Sequence, residues 1–226
     1  MRIQMIAFDV AGTTVIDDGL VIRAFEKAFG FAVPLQWEEH AEEWTQYAKD
    51  TMGQSKIEVF TALLGRDDLA QQANAAFEGA YLDLVLTEGI DEMPGAGELL
   101  ADLKAAGFAT ALTTGFSRNT LNAIIKKLGW QDLISATVTP PEVGAGRPSP
   151  RMLEKVAADL GVTNPEACVV VGDTVSDVEA GLAFGAGVVI GVLSGAHDSV
   201  ALLGAGATSV VNSVADLRTL LLAETL

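Results

Sequence analysis

Side chains able to bind a metal ion or phosphate stand at the ends of several apolar segments. Asp9 follows IQMIAF, Thr114 and Gly115 end FATALTTG, and Asp173 ends CVVVGD, shortly before Asp177. A single Asp after a strand is most often a turn former or a helix cap. Several such sites are harder to explain as turns, because the carboxyl ends of parallel strands meet at one edge of a sheet, where ligands bind.

The combined chemistry of these segments favours phosphoryl transfer. Asp9 and Asp173 can share a Mg²⁺ ion, which prefers oxygen ligands. Threonine hydroxyls, glycine N–H groups and the guanidinium of Arg147, in VTPPEVGAGRPSP, can bind phosphate oxygens. Asp9 can then attack phosphorus and form an aspartyl-phosphate.

Composition and charge narrow the choice of partner. The chain has 226 residues, of which 50% are hydrophobic and 19% charged, as in a globular protein. A formal net charge of −16 repels nucleic acid and anionic lipid, so we expect no nucleic-acid partner and no membrane partner. The apolar segments are shorter than a membrane span, the N-terminal segment is predicted as a strand, and a single cysteine excludes an internal disulfide. These features predict a cytoplasmic protein.

Short apolar segments alternate with amphipathic helices along most of the chain. Strands are predicted over residues 3–10, 108–115, 134–140, 168–173 and 187–193, with a last short strand before the C-terminal helix. Helices are predicted between them, one starting at Ser117 and closing at Gly129, another with Ser149 as N-cap and Pro150 as first residue. The alternation predicts an α/β fold with a Rossmann-like parallel sheet and helices on both faces.

Residues 17–92 interrupt this alternation. They contain helical patterns such as LVIRAFEKAFG and KIEVFTALLG, and no segment typical of a buried strand. We therefore predict a helical cap domain, residues 17–92, inserted into an α/β core made of residues 1–16 and 93–226.

The segments FDVAGTT, TTG, GRPSP and VGDTVSD resemble, in this order, the four motifs of the haloacid dehalogenase superfamily. The resemblance implies that Asp9 is the nucleophile. It also implies a Mg²⁺ ion bound by Asp9, the backbone carbonyl of Ala11 and Asp173, with Asp177 orienting the metal shell.

The resemblance also assigns the groups that hold the substrate. Thr114, Gly115 and Arg147 would bind the phosphoryl group, and the turn residues Gly12 and Thr13 would lie beside it. The implied substrate is a small phosphonate or phosphate.

Most phosphatases of this superfamily carry a second Asp, a general acid and base, two positions after the nucleophile, where this chain has Ala11. The Ala-Gly-Thr-Thr variant, with Arg in the third motif and VGDTVSD in the fourth, resembles the phosphonoacetaldehyde hydrolase family, the phosphonatases. The resemblance implies cleavage of a carbon–phosphorus bond, whose leaving group is a carbanion. In that family a cap lysine forms a Schiff base with the aldehyde, so that the departing carbon becomes an enamine.

Lys56 is the residue of this chain that corresponds to this cap lysine. It lies in DTMGQSKIEVF, which resembles the Met-Gly-x-x-Lys motif of the phosphonatases. We expect Ser55 and Glu58 to form a capping box. The helix N-terminus should then lower the pKa of the Lys56 amine, with Met52 and Gly53 lining the pocket beside it.

Two positions depart from the phosphonatase pattern. That family places a His three positions after the lysine and a Tyr directly after Thr-Thr-Gly, whereas this chain has Val59 and Phe116. Phe116 remains a predicted substrate contact. The resemblance further implies a homodimer formed through the cap.

Two alternatives remain open. One is a phosphate-monoester phosphatase acting on a small metabolite, against which Ala11 argues because an alkoxide leaving group needs a nearby acid. The other is a non-catalytic protein that binds phosphate compounds, against which the retained acidic and basic motif residues argue. A dinucleotide-binding oxidoreductase is disfavoured, since no G-x-G-x-x-G follows a predicted strand.

Overall fold

The sheet of this protein is entirely parallel. A computed structural model describes residues 3–222. The strands in the described part are β1 (Met5–Phe8), β2 (Ala109–Thr113), β3 (Ala136–Val138), β4 (Cys168–Gly172), β5 (Val188–Val192) and β6 (Ser209–Val211). They form a six-stranded sheet in the order β3-β2-β1-β4-β5-β6. The predicted α/β fold with a parallel sheet is confirmed.

Each observed strand is shorter than the apolar segment that predicts it. β1 ends at Phe8, so Asp9 already belongs to the loop that follows, and β4 likewise ends before Asp173. The neighbours of β1 are β2 on one side and β4 on the other. The loops after β1, β2 and β4 therefore leave the sheet at adjacent positions, beside the reversal of strand order where α/β proteins bind ligands.

The helices lie between and after the strands in the chain. They are α1 (Leu20–Ala32), α2 (Pro34–Asp50), α3 (Lys56–Leu64), α4 (Asp67–Thr87), α5 (Ala96–Ala105), α6 (Arg118–Leu128), α7 (Pro140–Val143), α8 (Arg151–Asp159), α9 (Val175–Phe184), α10 (Ser199–Gly204) and α11 (Leu217–Leu222). Within residues 3–222, none of them combines the length and apolar character that crossing a bilayer requires.

Alternate residues of β1 pack against different helix layers. Ile6 and Phe8 belong to the larger apolar cluster, which includes buried residues of α5 and α6. Met5 and Ala7 belong to a second cluster, which includes buried residues of α8 and α9. Because successive side chains of a strand point to opposite faces, this division shows helices covering both faces of the sheet.

The predicted helix ends agree with the structure to within about one residue, the usual uncertainty of such boundaries. The Ser117 side chain caps α6 by accepting a hydrogen bond from the Thr120 N–H, and Gly129 ends that helix with φ 72°. One start is shifted: Pro150 is the N-cap of α8, and Arg151 is its first residue. The Ser149 hydroxyl accepts a hydrogen bond from the Arg151 N–H at 3.4 Å.

Helices α1 to α4 lie within the predicted insert and pack around four phenylalanines. The ring centroids of Phe25 and Phe77 are 4.8 Å apart, and Phe60 lies 5.0 Å from both Phe25 and Phe29. The same apolar cluster continues into the sheet layer. The division into a cap domain and a core domain at residues 17 and 92 stays a prediction.

Two linker segments join these helices to the sheet layer and run beside each other. The Ile16 N–H donates to the Asp91 carbonyl at 3.0 Å, and the Met93 N–H donates to the Thr14 carbonyl at 2.8 Å. Val15 forms an antiparallel bridge with Glu92. Both connections therefore pass next to the turn that follows β1.

We expect Phe60→Ala to lower the free energy of unfolding by about 3–5 kcal/mol, because it leaves a cavity among packed aromatic rings. Phe31→Ala is the matched control, since Phe31 is 69% exposed; it should change stability by less than about 0.5 kcal/mol. Chemical denaturation measures both values. Equal losses in the two variants would contradict the packing described here.

Candidate active site

The loops at the ends of the strands and residues of helices α1, α2 and α3 enclose a cavity of about 430 Å³. Its lining includes Asp9, Arg147 and Asp173 from the sheet side and Lys56 from the start of α3. Residues that are distant in the sequence therefore meet in one cavity. Of the other predicted site residues, it is also lined by Ala11, Gly12, Met52, Gly53, Thr114, Gly115 and Phe116.

Arg147 links two buried carboxylates, of which Asp9 lines the cavity and Asp177 does not. Its Nη2 donates to Asp9 Oδ1 at 2.5 Å, and its Nη1 forms an ion pair with Asp177 Oδ1. All three residues are at most 6% exposed. Arg147 Nε finds no acceptor among the described residues, so a buried N–H donor is left for an anionic ligand.

Asp177 has both carboxylate oxygens engaged. Besides the ion pair with Arg147, its Oδ2 accepts hydrogen bonds from the backbone N and the Oγ1 of Thr174, at 3.0 and 2.5 Å. Thr174 and Asp177 form the capping box that starts α9. Asp177 thus holds Arg147 in place, and its contribution to a metal shell stays a prediction.

The residues present fit a hard divalent cation. Ligand oxygens of Asp9, Asp173 and Asp177 lie within 4.8 Å of one another. Burial, and next the negative charge of Asp9, raise the pKa of Asp173. A cation beside Asp9 and Asp173 would relieve this repulsion, and an all-oxygen donor set suits Mg²⁺.

The turn after β1 orients these groups. The Thr14 hydroxyl donates to the Asp9 carbonyl at 2.9 Å, and the Thr13 hydroxyl donates to Asp173 Oδ1 at 2.8 Å. Thr13 is fully buried and does not line the cavity. It positions a carboxylate in this structure, whereas the sequence suggested a contact with the substrate.

The loop before α3 packs tightly against three loops of the sheet layer. A Cβ on Gly53, where φ is 85°, would lie 2.3 Å from Thr174 Oγ1. A Cβ on Gly146 would lie 2.4 Å from the Cβ of Ser55, and one on Gly115 would lie 2.8 Å from the Gln54 carbonyl oxygen. Only glycine at these positions permits so close an approach. This contact brings Lys56 over the strand-end residues.

The Lys56 amine lies in an apolar environment. Lys56 is 5% exposed, and its Nζ lies 5.7 Å from the ring centroid of Phe25 and 6.0 Å from that of Phe77. Burial, followed by the positive charge of Arg147, lowers the pKa of this amine to about 8. About a tenth of the amines are then neutral at pH 7, against fewer than about one in a thousand at the ordinary pKa.

The origin of this low pKa differs from the sequence-based expectation. Ser55 is the N-cap of α3, but its side chain makes no capping hydrogen bond, so the predicted capping box with Glu58 is not formed. Ser55 is instead buried against Gly146. Desolvation by the surrounding aromatic rings, more than the helix N-terminus, accounts for the shift of Lys56.

Sequence reasoning missed two parts of the site. Asp17, the first residue of the predicted cap segment, lines the cavity. The loop after β5 also contributes: the Ala196 N–H donates to Asp173 Oδ2, and the Ser194 hydroxyl donates to the Gly12 carbonyl, both at 2.8 Å. The position of that loop at the same sheet edge was the available signal, although it carries no charged side chain beside the cavity.

Phe116 lies under a buried tyrosine of α4. The rings of Tyr81 and Phe116 are 4.4 Å apart, and the Tyr81 hydroxyl has no hydrogen-bond partner among the described residues. Burial raises the pKa of Tyr81 well above its ordinary value. The phenol therefore stays protonated.

We expect the Lys56 amine to titrate near pH 8, as its surroundings lower its pKa to about 8. Labelling with limiting acetic anhydride between pH 6 and 11, followed by mass spectrometry of the peptides, measures the titration. Acylation should rise about tenfold per pH unit below the pKa and then level off, because only the neutral amine reacts. The exposed Lys27 is the internal reference for reagent and recovery; an unbroken rise for Lys56 up to pH 10 would contradict the prediction.

Comparison with known proteins identifies the family of this chain. Residues 3–185 match the model of the haloacid dehalogenase-like hydrolases. The phosphonoacetaldehyde hydrolase of Bacillus cereus is 32% identical over 202 residues, which cover 80% of this chain and 72% of that protein. That of Bacteroides fragilis is 30% identical over 215 residues, covering 84% and 77%.

A solved structure extends the likeness to the whole chain. The crystal structure of a hydrolase from Pseudomonas syringae has a TM-score of 0.84 and 26% identity, and covers 99% of each chain. The matching family model, the related hydrolases and the shared fold agree with one another. The chain belongs to the haloacid dehalogenase-like hydrolase family.

Proposed function

We propose that this hydrolase cleaves the carbon–phosphorus bond of phosphonoacetaldehyde or a related carbonyl-bearing phosphonate. One observation carries the proposal: a buried amine with a lowered pKa, Lys56, shares a cavity with the carboxylate of Asp9 and the guanidinium of Arg147. An ester hydrolase needs no such amine. A carbon–phosphorus hydrolase needs one, because the departing carbon must place its electrons in a sink.

In the proposed reaction Lys56 condenses with the substrate aldehyde, releasing water and forming an imine. Asp9 then attacks phosphorus, the carbon–phosphorus bond breaks, and its electron pair forms the carbon–carbon double bond of an enamine while the iminium nitrogen regains its lone pair. Water later releases phosphate from Asp9. The enamine takes a proton on carbon, and hydrolysis of the resulting imine frees the aldehyde and Lys56.

Transfer of the phosphoryl group to Asp9 depends on positive charge near this carboxylate. Arg147 holds Asp9 and keeps a free Nε donor for a phosphoryl oxygen. Asp9 and Asp173, with the Ala11 carbonyl, would hold Mg²⁺, and Asp177 would orient its shell. When bound, the ion would neutralise negative charge on the transferring phosphoryl group. Thr114 and Gly115 would complete the phosphoryl contacts, with Met52 and Phe116 as apolar walls.

Ala11 distinguishes this proposal from a phosphate-ester phosphatase of the same fold. An alkoxide leaving group needs a general acid, and the methyl group of Ala11 at the cavity wall cannot provide one. An enamine leaving group needs no such acid at that position. A non-catalytic protein that only binds phosphate compounds would not need a lowered pKa at Lys56.

The remaining expectations belong to the same proposal. The partner is a small phosphonate, and neither nucleic acid nor membrane is expected, given the net charge of −16. Cytoplasmic localisation and a homodimer through the cap are likewise proposed.

Phosphate release from phosphonoacetaldehyde in the presence of Mg²⁺, measured beside a panel of phosphate monoesters, tests the function. We expect release from the phosphonate, and its loss in Lys56→Arg, which keeps the positive charge but cannot form an imine. Lys27→Arg, at an exposed position of α1, is the matched control and should keep activity. Ester turnover with no phosphonate turnover would favour the phosphatase, and full activity of Lys56→Arg would refute the imine.

We expect Gly146→Ala to reduce kcat/KM for the phosphonate by roughly 10- to 100-fold, because the added methyl pushes the Lys56 loop away from the sheet edge. The matched control is Gly79→Ala on α4, where a Cβ would meet no atom within 4 Å. Steady-state kinetics and thermal melting are compared for both. Unchanged kinetics in Gly146→Ala would mean that the close contact does not position Lys56.

A further inference from the structure

Forming an imine requires several proton transfers. The two positions where the phosphonatase pattern has a His and a Tyr carry apolar side chains in this chain. The amine must lose protons, and the carbonyl oxygen must gain two before it leaves as water. Val59 and Phe116 are 1% and 2% exposed and carry no exchangeable proton. The Lys56 Nζ itself contacts the Gln54 carbonyl oxygen at 3.5 Å and two aromatic rings, none of which transfers protons.

Three carboxylates act on the charge of Lys56: most strongly Asp17, then Asp9 and Glu78. Asp9 is bound to Arg147 and is assigned to phosphorus. Glu78 accepts hydrogen bonds from the backbone N of Ser117 and from Thr120 Oγ1, at 3.2 and 2.7 Å. Of these three carboxylates, Asp17 is therefore the one that, among the described residues, is bound neither to Arg147 nor to the loop and helix after β2.

Tyr81, whose buried hydroxyl has no hydrogen-bond partner among the described residues, does not fit the task either. Burial raises the pKa of Tyr81 well above its ordinary value, so the phenol does not accept protons near neutral pH. A group that forms an imine must accept a proton in one step and donate it in the next. A phenol held permanently protonated cannot complete that cycle.

The fold holds Asp17 at the cavity wall. Its Oδ1 accepts a hydrogen bond from the Val21 N–H at 3.1 Å, in the first turn of α1. The preceding residue is tied to the second linker by the hydrogen bond from the Ile16 N–H to the Asp91 carbonyl, at 3.0 Å. Asp17 is half-buried and lines the same cavity as Lys56. Burial raises its pKa, which brings its two protonation states closer in free energy at neutral pH.

We propose that Asp17 is the acid–base residue that forms and hydrolyses the imine on Lys56. The inference rests on the proposed carbon–phosphorus hydrolase function and names a residue for its first step. Asp17 takes a proton from the Lys56 ammonium, and the neutral amine attacks the carbonyl carbon. Asp17 gives that proton to the carbonyl oxygen, takes another from nitrogen, and gives it to the departing hydroxyl. An iminium and water result, and Asp17 is again a carboxylate.

The test compares Asp17→Asn with Asp91→Asn, which removes the same charge at an exposed position of the second linker that does not line the cavity. Asn caps a helix about as well as Asp, so the start of α1 should survive the change. Borohydride is added with phosphonoacetaldehyde, and the reduced adduct on the Lys56 peptide is quantified over time by mass spectrometry. Phosphate release, thermal melting, and binding of inorganic phosphate with Mg²⁺ are measured on the same proteins.

We expect Asp17→Asn to slow adduct formation and kcat by about 100-fold or more, the usual contribution of a general acid–base group. Melting temperature and phosphate binding should stay at wild-type values, and Asp17→Glu should recover part of the rate. Adduct formation in Asp17→Asn within about twofold of wild type, or an equal loss in Asp91→Asn, overturns the assignment while leaving the function intact. Wild-type protein that forms no adduct and releases no phosphate refutes the function itself, and the assignment with it.

Discussion

Three carboxylates and one guanidinium are buried together at the carboxyl edge of the sheet, and the loops around them must compensate their charge. An unpaired ion in a protein interior costs several kcal/mol. Arg147 neutralises part of the charge of Asp9 and Asp177, and hydroxyl and backbone N–H donors from the strand-end turns support Asp177 and Asp173. Negative charge remains in excess. The suitability of the site for a cation, the orientation of the Asp9 carboxylate and the tight turns thus have one physical origin.

Lys56 lies on the helical side of the cavity, across from this cluster. A different set of interactions determines the pKa of its amine. Arg147 repels its charged form, the aromatic rings withdraw it from water, and Asp17 attracts it. An arginine at position 56 would remain charged in the same surroundings, since its guanidinium does not deprotonate in proteins. In the proposed reaction the cavity therefore separates two tasks: a permanent cation for the phosphoryl oxygens and a titratable amine for the carbonyl.

How far the sequence predicted this site depends on the kind of signal each residue carries. Asp9 and Asp173 follow hydrophobic strands, a local pattern, and parallel strands bring such ends together. Lys56 was predicted from its motif and from Ala11. Asp17 had no local signal, because a carboxylate in a linker is typical of a turn. Its place in the cavity depends on how distant helices pack, and the same packing, not the predicted capping box, sets the pKa of Lys56.

The location of Asp9 and Lys56 in separate layers has a mechanical consequence. In the proposed reaction the substrate is attached to α3 through nitrogen while the residue after β1 bonds to its phosphorus. During this step the substrate is a covalent link between the helical layer and the sheet. The bond that breaks lies within this link, so its cleavage disconnects the two layers. Two fragments remain, each held covalently on its own side, and each departs later by its own hydrolysis.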